Sequence, residues 1–440
     1  MEFKRRITKI FVLLIVISTQ IHFSFASTKS DMEKLNQNVQ SEAAVIIEET
    51  TGKVIYDKNA NEKKYPASTT KILTAIIAIE QCNLDETATA SEYAVSSIPY
   101  GYSVANIQIG ETLSVKDLLY VMMLQSANEA AIVLAEHISG SVDNFADLMN
   151  EKAKEIGCKN THFVNPNGVH DENHYSTAYD MALIAKYCMQ NETFRKIVAT
   201  TSYTLPTTSR YEDTDRAFAN TNDLIRKNSN DREDNYYYQY ATGIKTGYTS
   251  QAKNCLVSSA EKNGMKFITV VLGASVNPDG LSQRYLDTIS MFEFAFDNYS
   301  FQKIKEKGNF IDTVEISNAS SDTKNMEMAI NSDIIALMNT DIKIDDIEAE
   351  ISLNDNLQAP IESGTKVGKI TYKIDGLTYE ADLVAKSDVK KKNYIGVIIY
   401  IILAIAIIIF FAIRYYISKK KRLKKMNYNI NFWYSLKLNC

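Results

Sequence analysis

Between Tyr394 and Ile413 the chain carries no charged residue and is dominated by isoleucine. An apolar run of about 20 residues is long enough, as a helix, to cross a bilayer core of roughly 30 Å. Few helices of soluble domains stay apolar on every face for that length, so the segment is predicted to span a membrane once and to divide the protein between two sides. Arg414, Lys419, Lys420, Lys421, Arg422, Lys424 and Lys425 follow directly. Basic flanks are retained in the cytoplasm, which predicts an inner basic tail over 414–440 and an outward-facing body before the span.

The N-terminus points to the same topology. Lys4, Arg5 and Arg6 precede the apolar stretch Ile10–Ile17, and small residues surround Ala26. This is the pattern of a secretory signal over residues 1–26. The 440-residue chain is long enough for two domains, and 45% hydrophobic with 23% charged residues is a globular composition. A formal net charge of −5 gives no reason to expect nucleic acid, which calls for clustered Lys and Arg. Cys82, Cys158, Cys188 and Cys255 show no C-x-x-C spacing, and Cys440 falls on the inner tail. The four are read as small buried hydrophobes, with no essential disulfide expected.

Ala43–Glu49 and Lys53–Asp57 read as a hairpin turning at Thr51-Gly52. Pro66 breaks the chain before Ser68, and the residues from Ile72 to Ile79 are apolar on nearly every face, so their helix belongs inside a domain. Ser114 and Asp117 make a capping-box-like start to a helix over Leu118–Leu124. Ser126-Ala127-Asn128 interrupts it before a helix at Ala130–Ile138 that stops at Gly140, and Thr177–Met189 forms another. Strands follow at Cys255–Ser258 and Lys266–Gly273, with Asn263-Gly264 turning between them, and Leu286–Phe296 closes as a helix. Helices set between early strands and a late antiparallel pair predict one α+β domain over 40–298. Residues 301–389 shift to alternating strands, with Lys369–Ile374 and Leu377–Leu383 joined at Asp375-Gly376, and read as a small β-rich domain before the span over 394–413. Asn228–Tyr240 reads as an exposed polar loop whose tyrosines serve packing.

Ser68 and Lys71 are three apart, so on a helix their side chains share one face. A lysine amine there can take the serine proton as the oxygen attacks a carbonyl, provided that burial and a second cation lower its pKa. The spacing alone means little, since it recurs at Ser259/Lys262, Ser300/Lys303, Ser321/Lys324, Ser363/Lys366 and Ser387/Lys390, and an N-cap serine is the ordinary alternative. Two further elements add weight. Ser126 and Asn128 sit in a break between helices, where a hydroxyl and a carboxamide can face a cleft, although Ser275-Val276-Asn277 repeats that pattern. Lys245-Thr246-Gly247 occurs once, entering a strand, where the glycine lets a substrate backbone approach and the lysine and threonine can hold an anion.

S-x-x-K, S-x-N and K-T-G in that order are the set of penicillin-binding proteins and class A β-lactamases. From about residue 40 to 388 the chain resembles the low-molecular-weight penicillin-binding proteins, the serine-type D-alanyl-D-alanine carboxypeptidases. Beyond the three motifs the resemblance rests on TGKVIYDKNANEKKYPASTTKILTA, SANEAA, FVNPNGVHDENHYSTAYDMALIAKY, GIKTGYT, GMKFITVVLGA and the β-rich APIESGTKVGKITYKIDGLTYEADLVA. The resemblance implies a penicillin-binding protein/serine β-lactamase-like α+β domain, with Ser68 as acylated nucleophile and Lys71 as its base. Ser126 would relay a proton to the leaving amine, Asn128 would bind the substrate amide, and Lys245 and Thr246 would bind the terminal carboxylate beside Gly247. The backbone N–H groups of Ser68 and Tyr248 would form the oxyanion hole, and Arg284 would stand near the carboxylate. Ala252-Lys253-Asn254 departs from the Ala-Gly common in the family.

The implied partners are peptidoglycan stem peptides and β-lactam antibiotics, with the membrane as anchor and no cofactor. Three other readings compete. A β-lactamase needs a base for the deacylating water, and no glutamate presents itself around Asn165–Asp171; an endopeptidase on peptidoglycan crosslinks uses the same residues; a non-catalytic wall-binding scaffold would be expected to lose them. His162, His170 and His174 lie close in sequence, and they are read as polar loop packing rather than metal ligands.

Overall fold

The computed structural model describes residues 29–212, 216–227 and 236–437. The expected signal over 1–26 and positions 228–235 of the polar loop lie outside the described residues. A helix at residues 29–38, α1, leads into β1 (Ala43–Glu48) and β2 (Val54–Lys58), the expected hairpin. Val45 and Ile47 of β1 enter one core, Ala44 and Ile46 another. A strand buried on both faces has no polar side to show, which is why β1 reads as an unbroken apolar run.

α2 (Lys71–Gln81) follows a 3-10 turn at Ala67–Thr70 and is buried through most of its length. A ribbon of β3 (Thr87–Thr89) and β4 (Thr112–Ser114) encloses the short α3 (Glu92–Ser96). α4 (Val115–Leu124) begins at Val115 because the Ser114 hydroxyl accepts the Asp117 N–H at 3.0 Å, and α5 (Asn128–Ser139) ends at Gly140 with φ +79°. α6 (Val142–Ile156), α7 (Ala178–Cys188) and α8 (Glu192–Ala199) complete this helical layer, followed by the ribbon of β5 (Ser202–Leu205) and β6 (Arg216–Ala219). β7 (Ala241–Thr249), β8 (Lys253–Lys262) and β9 (Met265–Ala274) precede α9 (Gln283–Asn298). Asn263 and Gly264 turn β8 into β9 with φ +54° and +79°, the pair of left-handed residues that a two-residue hairpin needs.

The five strands pair antiparallel in the order β2-β1-β9-β8-β7. Ile72, Leu118, Val133, Met181 and Phe194 of the helical layer pack with Val257 and Ile268 on one face. Leu35 of α1 and Tyr285 and Phe292 of α9 pack with Leu256 and Val271 on the other. The α+β domain is therefore a helix–sheet–helix sandwich, and β7 and β2 are the sheet's two edges.

The described chain divides into two compact units, the first running to Phe301 with Leu337–Lys343 added. Leu337 is buried in the core beside α9, which explains why this short stretch leaves the β-rich region around it. β10 (Tyr299–Lys305) and β13 (Ile334–Asn339) each cross the division. The second unit has a sheet of β11 (Phe310–Glu315), β12 (Asn325–Ile330), β14 (Ala349–Leu353), β15 (Lys366–Ile374) and β16 (Leu377–Ala385), in the order β11-β12-β16-β15-β14. Met326, Met328, Ile370 and Leu383 form its buried side. α10 (Ile395–Lys437) contains the apolar run, is long and apolar enough to cross a membrane, and continues through the basic segment.

Candidate active site

Ala67 adopts φ +48°, unusual for a residue with a side chain, and this bend after Pro66 sets Ser68 in the 3-10 turn that opens α2. Ser68 stays partly exposed while Lys71, the first residue of α2, is fully buried. Lys71 Nζ lies 3.0 Å from Ser68 Oγ, 2.9 Å from Asn128 Oδ1 and 2.5 Å from the Asn167 carbonyl oxygen. Asn128 is held in place because its backbone N–H and Nδ2 both donate to the Ser103 carbonyl, at 3.0 and 2.9 Å. That contact also fixes which end of the carboxamide faces the lysine. Ser126 takes φ +66°, a costly conformation for a serine of the kind that gathers at functional sites.

The Asn167 carbonyl is presented by a tight loop in which Asn165 Oδ1 accepts the Gly168 N–H at 2.7 Å and Asn165 Nδ2 donates to the Val169 carbonyl at 2.9 Å. Gly168 has φ +80°, and a Cβ there would lie 1.9 Å from the Ala67 carbonyl oxygen, so only glycine fits against the turn that carries Ser68.

β7 forms the opposite wall. Lys245 is buried, with Nζ donating to the Thr246 carbonyl at 3.2 Å, and the Thr246 hydroxyl lies 2.7 Å from that of Thr221. Arg284 Nη1 donates to the Gly247 carbonyl at 3.4 Å and Nη2 to the Tyr285 hydroxyl at 3.2 Å, which itself donates to the Thr221 carbonyl at 3.1 Å. Together the two walls enclose a cleft of about 370 Å³ lined by Ser68, Ser126, Asn128, Thr246, Gly247, Tyr248 and Arg284, with Tyr100 to Ser103 forming a rim. Every candidate residue is thus on the cleft except Lys71 and Lys245, which are buried next to it.

A Cβ added to Gly247 would stand 3.1 Å from both the Pro66 carbonyl oxygen and the Ser68 nitrogen. Gly247→Val is therefore expected to push β7 off the turn that carries Ser68. A misplacement of about 1 Å costs on the order of 10²-fold in rate, so acylation kinetics should show a loss of that size with unfolding little changed.

Burial first, then the Lys245 cation, hold the Lys71 amine well below the ordinary lysine range, against the opposing pull of Glu129. Burial and then Arg284 push Lys245 down to about 7. Two cations in one water-poor pocket are the arrangement that keeps an amine unprotonated.

His162, His170 and His174 take separate partners. His174 is buried, its Nδ1 accepts the Val164 N–H at 3.2 Å, and its Nε2 faces the Thr70 hydroxyl at 2.8 Å. With Nδ1 accepting, Nε2 carries the proton and donates to Thr70, and burial pushes the ring down to about 3. His162 Nδ1 lies 2.7 Å from the Asn173 carbonyl, and His170 stands edge-on to Tyr65 at 4.6 Å. Thr221 and the Asn167 carbonyl were not foreseen. An isolated threonine carries no motif, and a carbonyl belongs to every residue; only the turn-forming Asn165-Pro166-Asn167-Gly168 hinted at a fixed loop. Lys253, at the family departure, takes φ +56°, a conformation that favours glycine, and its Nζ pairs with Glu42 at 2.7 Å.

An antiparallel sheet between helical layers, with S-x-x-K, S-x-N and K-T-G meeting at one cleft, defines the class of penicillin-binding proteins and serine β-lactamases. Within that class, the family described as D-alanyl-D-alanine carboxypeptidase matches residues 28–276, and the one described as penicillin-binding protein 5, C-terminal domain, matches 299–391. D-alanyl-D-alanine carboxypeptidase DacF of Bacillus subtilis is 36% identical over 87% of this chain and 95% of its own. The crystal structure of penicillin-binding protein 5 from Haemophilus influenzae covers 80% of this chain and 98% of its own, at 28% identity and a TM-score of 0.60. That of the Streptomyces K15 DD-transpeptidase covers 59% and 98%, at 30% identity and a TM-score of 0.53. The chain belongs to the D-alanyl-D-alanine carboxypeptidase family of serine peptidases, and it is a serine D-Ala-D-Ala carboxypeptidase.

Proposed function

We propose that Ser68 is the residue acylated in this reaction, that Lys71 is its base, and that the substrates are peptidoglycan stem peptides ending in D-Ala-D-Ala. The observation that carries this reading is the set of three oxygens around Lys71 Nζ. A neutral amine has two N–H bonds and one lone pair. Asn128 Oδ1 and the Asn167 carbonyl can only accept, so they take the two N–H bonds, and the lone pair is left for the Ser68 hydroxyl. As Ser68 Oγ attacks the penultimate D-alanine carbonyl, its proton passes to Lys71 and the C–O bond forms while the oxyanion is held by the Ser68 and Tyr248 N–H groups. Collapse expels the terminal D-alanine, its amine taking a proton relayed through Ser126. Water then cleaves the ester. Lys245, Thr246 and Arg284 hold the departing carboxylate, and Asn128 the substrate amide.

β-Lactams enter the same path, their strained amide forming a slowly hydrolysed ester. The N-terminal signal pattern and the basic segment that follows the apolar run within α10 support an outward-facing catalytic unit anchored by one span. The direct test is D-alanine release from a peptide ending in Lys-D-Ala-D-Ala. A folded protein that releases none but cuts crosslinked dimers overturns the substrate assignment in favour of the endopeptidase.

Lys245 also sets a pH dependence. With its pKa at about 7, it is charged below that pH and neutral above it, so carboxylate binding by the free enzyme weakens as pH rises through 7. Lys71 must be neutral to act, which gives the opposite limb at lower pH. A bell-shaped kcat/KM is expected, falling above about pH 7; a flat profile from about pH 6 to 9 would remove Lys245 as the carboxylate's charge partner.

A further inference from the structure

Cys82 ends α2, Glu86 lies between α2 and β3, and His137 is in the last turn of α5. The Cys82 sulfur, a Glu86 carboxylate oxygen and a His137 ring nitrogen all lie within 4.8 Å of one another, with His137 Nε2 3.1 Å from Glu86 Oε1. A tetrahedral zinc ion with bonds of about 2.0–2.3 Å keeps sulfur, nitrogen and oxygen ligands roughly 3.3–3.6 Å apart. Three donors of the types that zinc accepts, two from the connection between α2 and β3 and one from α5, thus already stand near the required spacing. Cys188 and Cys255 are buried thiols away from such company, whereas Cys82 is partly exposed beside a carboxylate and an imidazole that solvent can reach.

We propose that Cys82, Glu86 and His137 bind one divalent transition-metal ion of the zinc type, with water completing a four-coordinate shell. A metal-free cysteine is ordinarily a thiol near neutral pH. Binding therefore displaces one proton, from Sγ to solvent, as the sulfur–metal bond forms, and no oxidation is involved. The ion would join the C-terminal ends of α2 and α5, whose opposite ends carry Lys71 and Asn128. It would act as a staple between the two helices that set the amine against its amide partner, at a distance from the cleft.

The test takes full-length protein in detergent, strips it with chelator and titrates it with Co²⁺ and then Zn²⁺. The expected result is one Co²⁺ per chain with a thiolate-to-cobalt charge-transfer band, displacement of Co²⁺ by Zn²⁺, and a thermal midpoint that rises with Zn²⁺ concentration. Cys82→Ser should lose the band, and His137→Ala and Glu86→Gln should each weaken binding at least about tenfold. A cooperative thermal transition identifies the variants that fold. No band in the wild type overturns the proposal, as does binding that is unchanged in a folded Cys82→Ser. Should Cys82→Ser fail to fold, unchanged affinity in His137→Ala overturns it equally. None of these readouts depends on catalysis, so failure here leaves the roles of Ser68 and Lys71 untouched.

Discussion

Ser68→Ala is expected to abolish covalent labelling by benzylpenicillin, which the wild-type protein should acquire as a single mass increment on the peptide containing Ser68. D-alanine release should fall on the order of 10⁴- to 10⁶-fold, the scale seen when a catalytic serine is removed from a serine peptidase. The expectation is sharp because the Ser68 side chain makes no helix-capping bond, so alanine leaves the 3-10 turn and α2 as they are. What disappears is the hydroxyl that lies 3.0 Å from the Lys71 amine. Intact-mass and peptide-mapping spectra of both proteins decide the matter. Label on Ser126, or label of equal extent in the variant, would move the nucleophile elsewhere.

Lys71→Met should keep the side-chain volume and remove the base, lowering the acylation rate on the order of 10²- to 10⁴-fold. Its effect on stability has a signature of its own. The folded amine lies well below the ordinary value of 10.5, so at neutral pH the unfolded chain binds a proton that the folded chain has shed. Stability then rises with pH up to the ordinary lysine range and falls as pH drops. Methionine abolishes that contribution, so the pH slope of the urea midpoint should flatten. Absolute stability is a poorer guide, because the Asn128 and Asn167 oxygens lose their donor at about 1–3 kcal/mol each. A slope identical to the wild type would mean that Lys71 folds charged, and the base would have to be sought elsewhere.

How much of this was legible beforehand follows from what each signal depends on. Turns with chemical requirements were readable: Asn263-Gly264 and Asp375-Gly376 both adopt paired positive φ, and Gly140 ends α5. The three motifs were readable because order and spacing survive in one dimension, and the cleft brings their residues together. α6 and α8 were passed over although their signals were present. Ser141 and Asn191 accept N–H groups of the first turn, and Phe145, Met149 and Ala153 recur at helical spacing. Their polar outer faces were less conspicuous than the wholly apolar α2 beside them. The return of Leu337–Lys343 to the first unit had no local signal, since it depends on packing across a long separation in sequence. Likewise, nothing in a string of letters says that Lys71 will be met by the carbonyl of Asn167.

β7 closes one side of the five-strand sheet, and its row of amide and carbonyl groups has no neighbouring strand. Such a row is ordinarily a template on which other chains stack and aggregate. Here the template is kept short, for Val198 of α8 crowds Gly243 at one end and the 3-10 turn crowds Gly247, leaving the cleft along Thr246 to Ser250. A segment of a few extended residues can pair there by its backbone, whereas the long edge of another sheet finds the row blocked at Gly243. The same crowding that blunts a sticky edge therefore limits what can pair with it to a short extended segment.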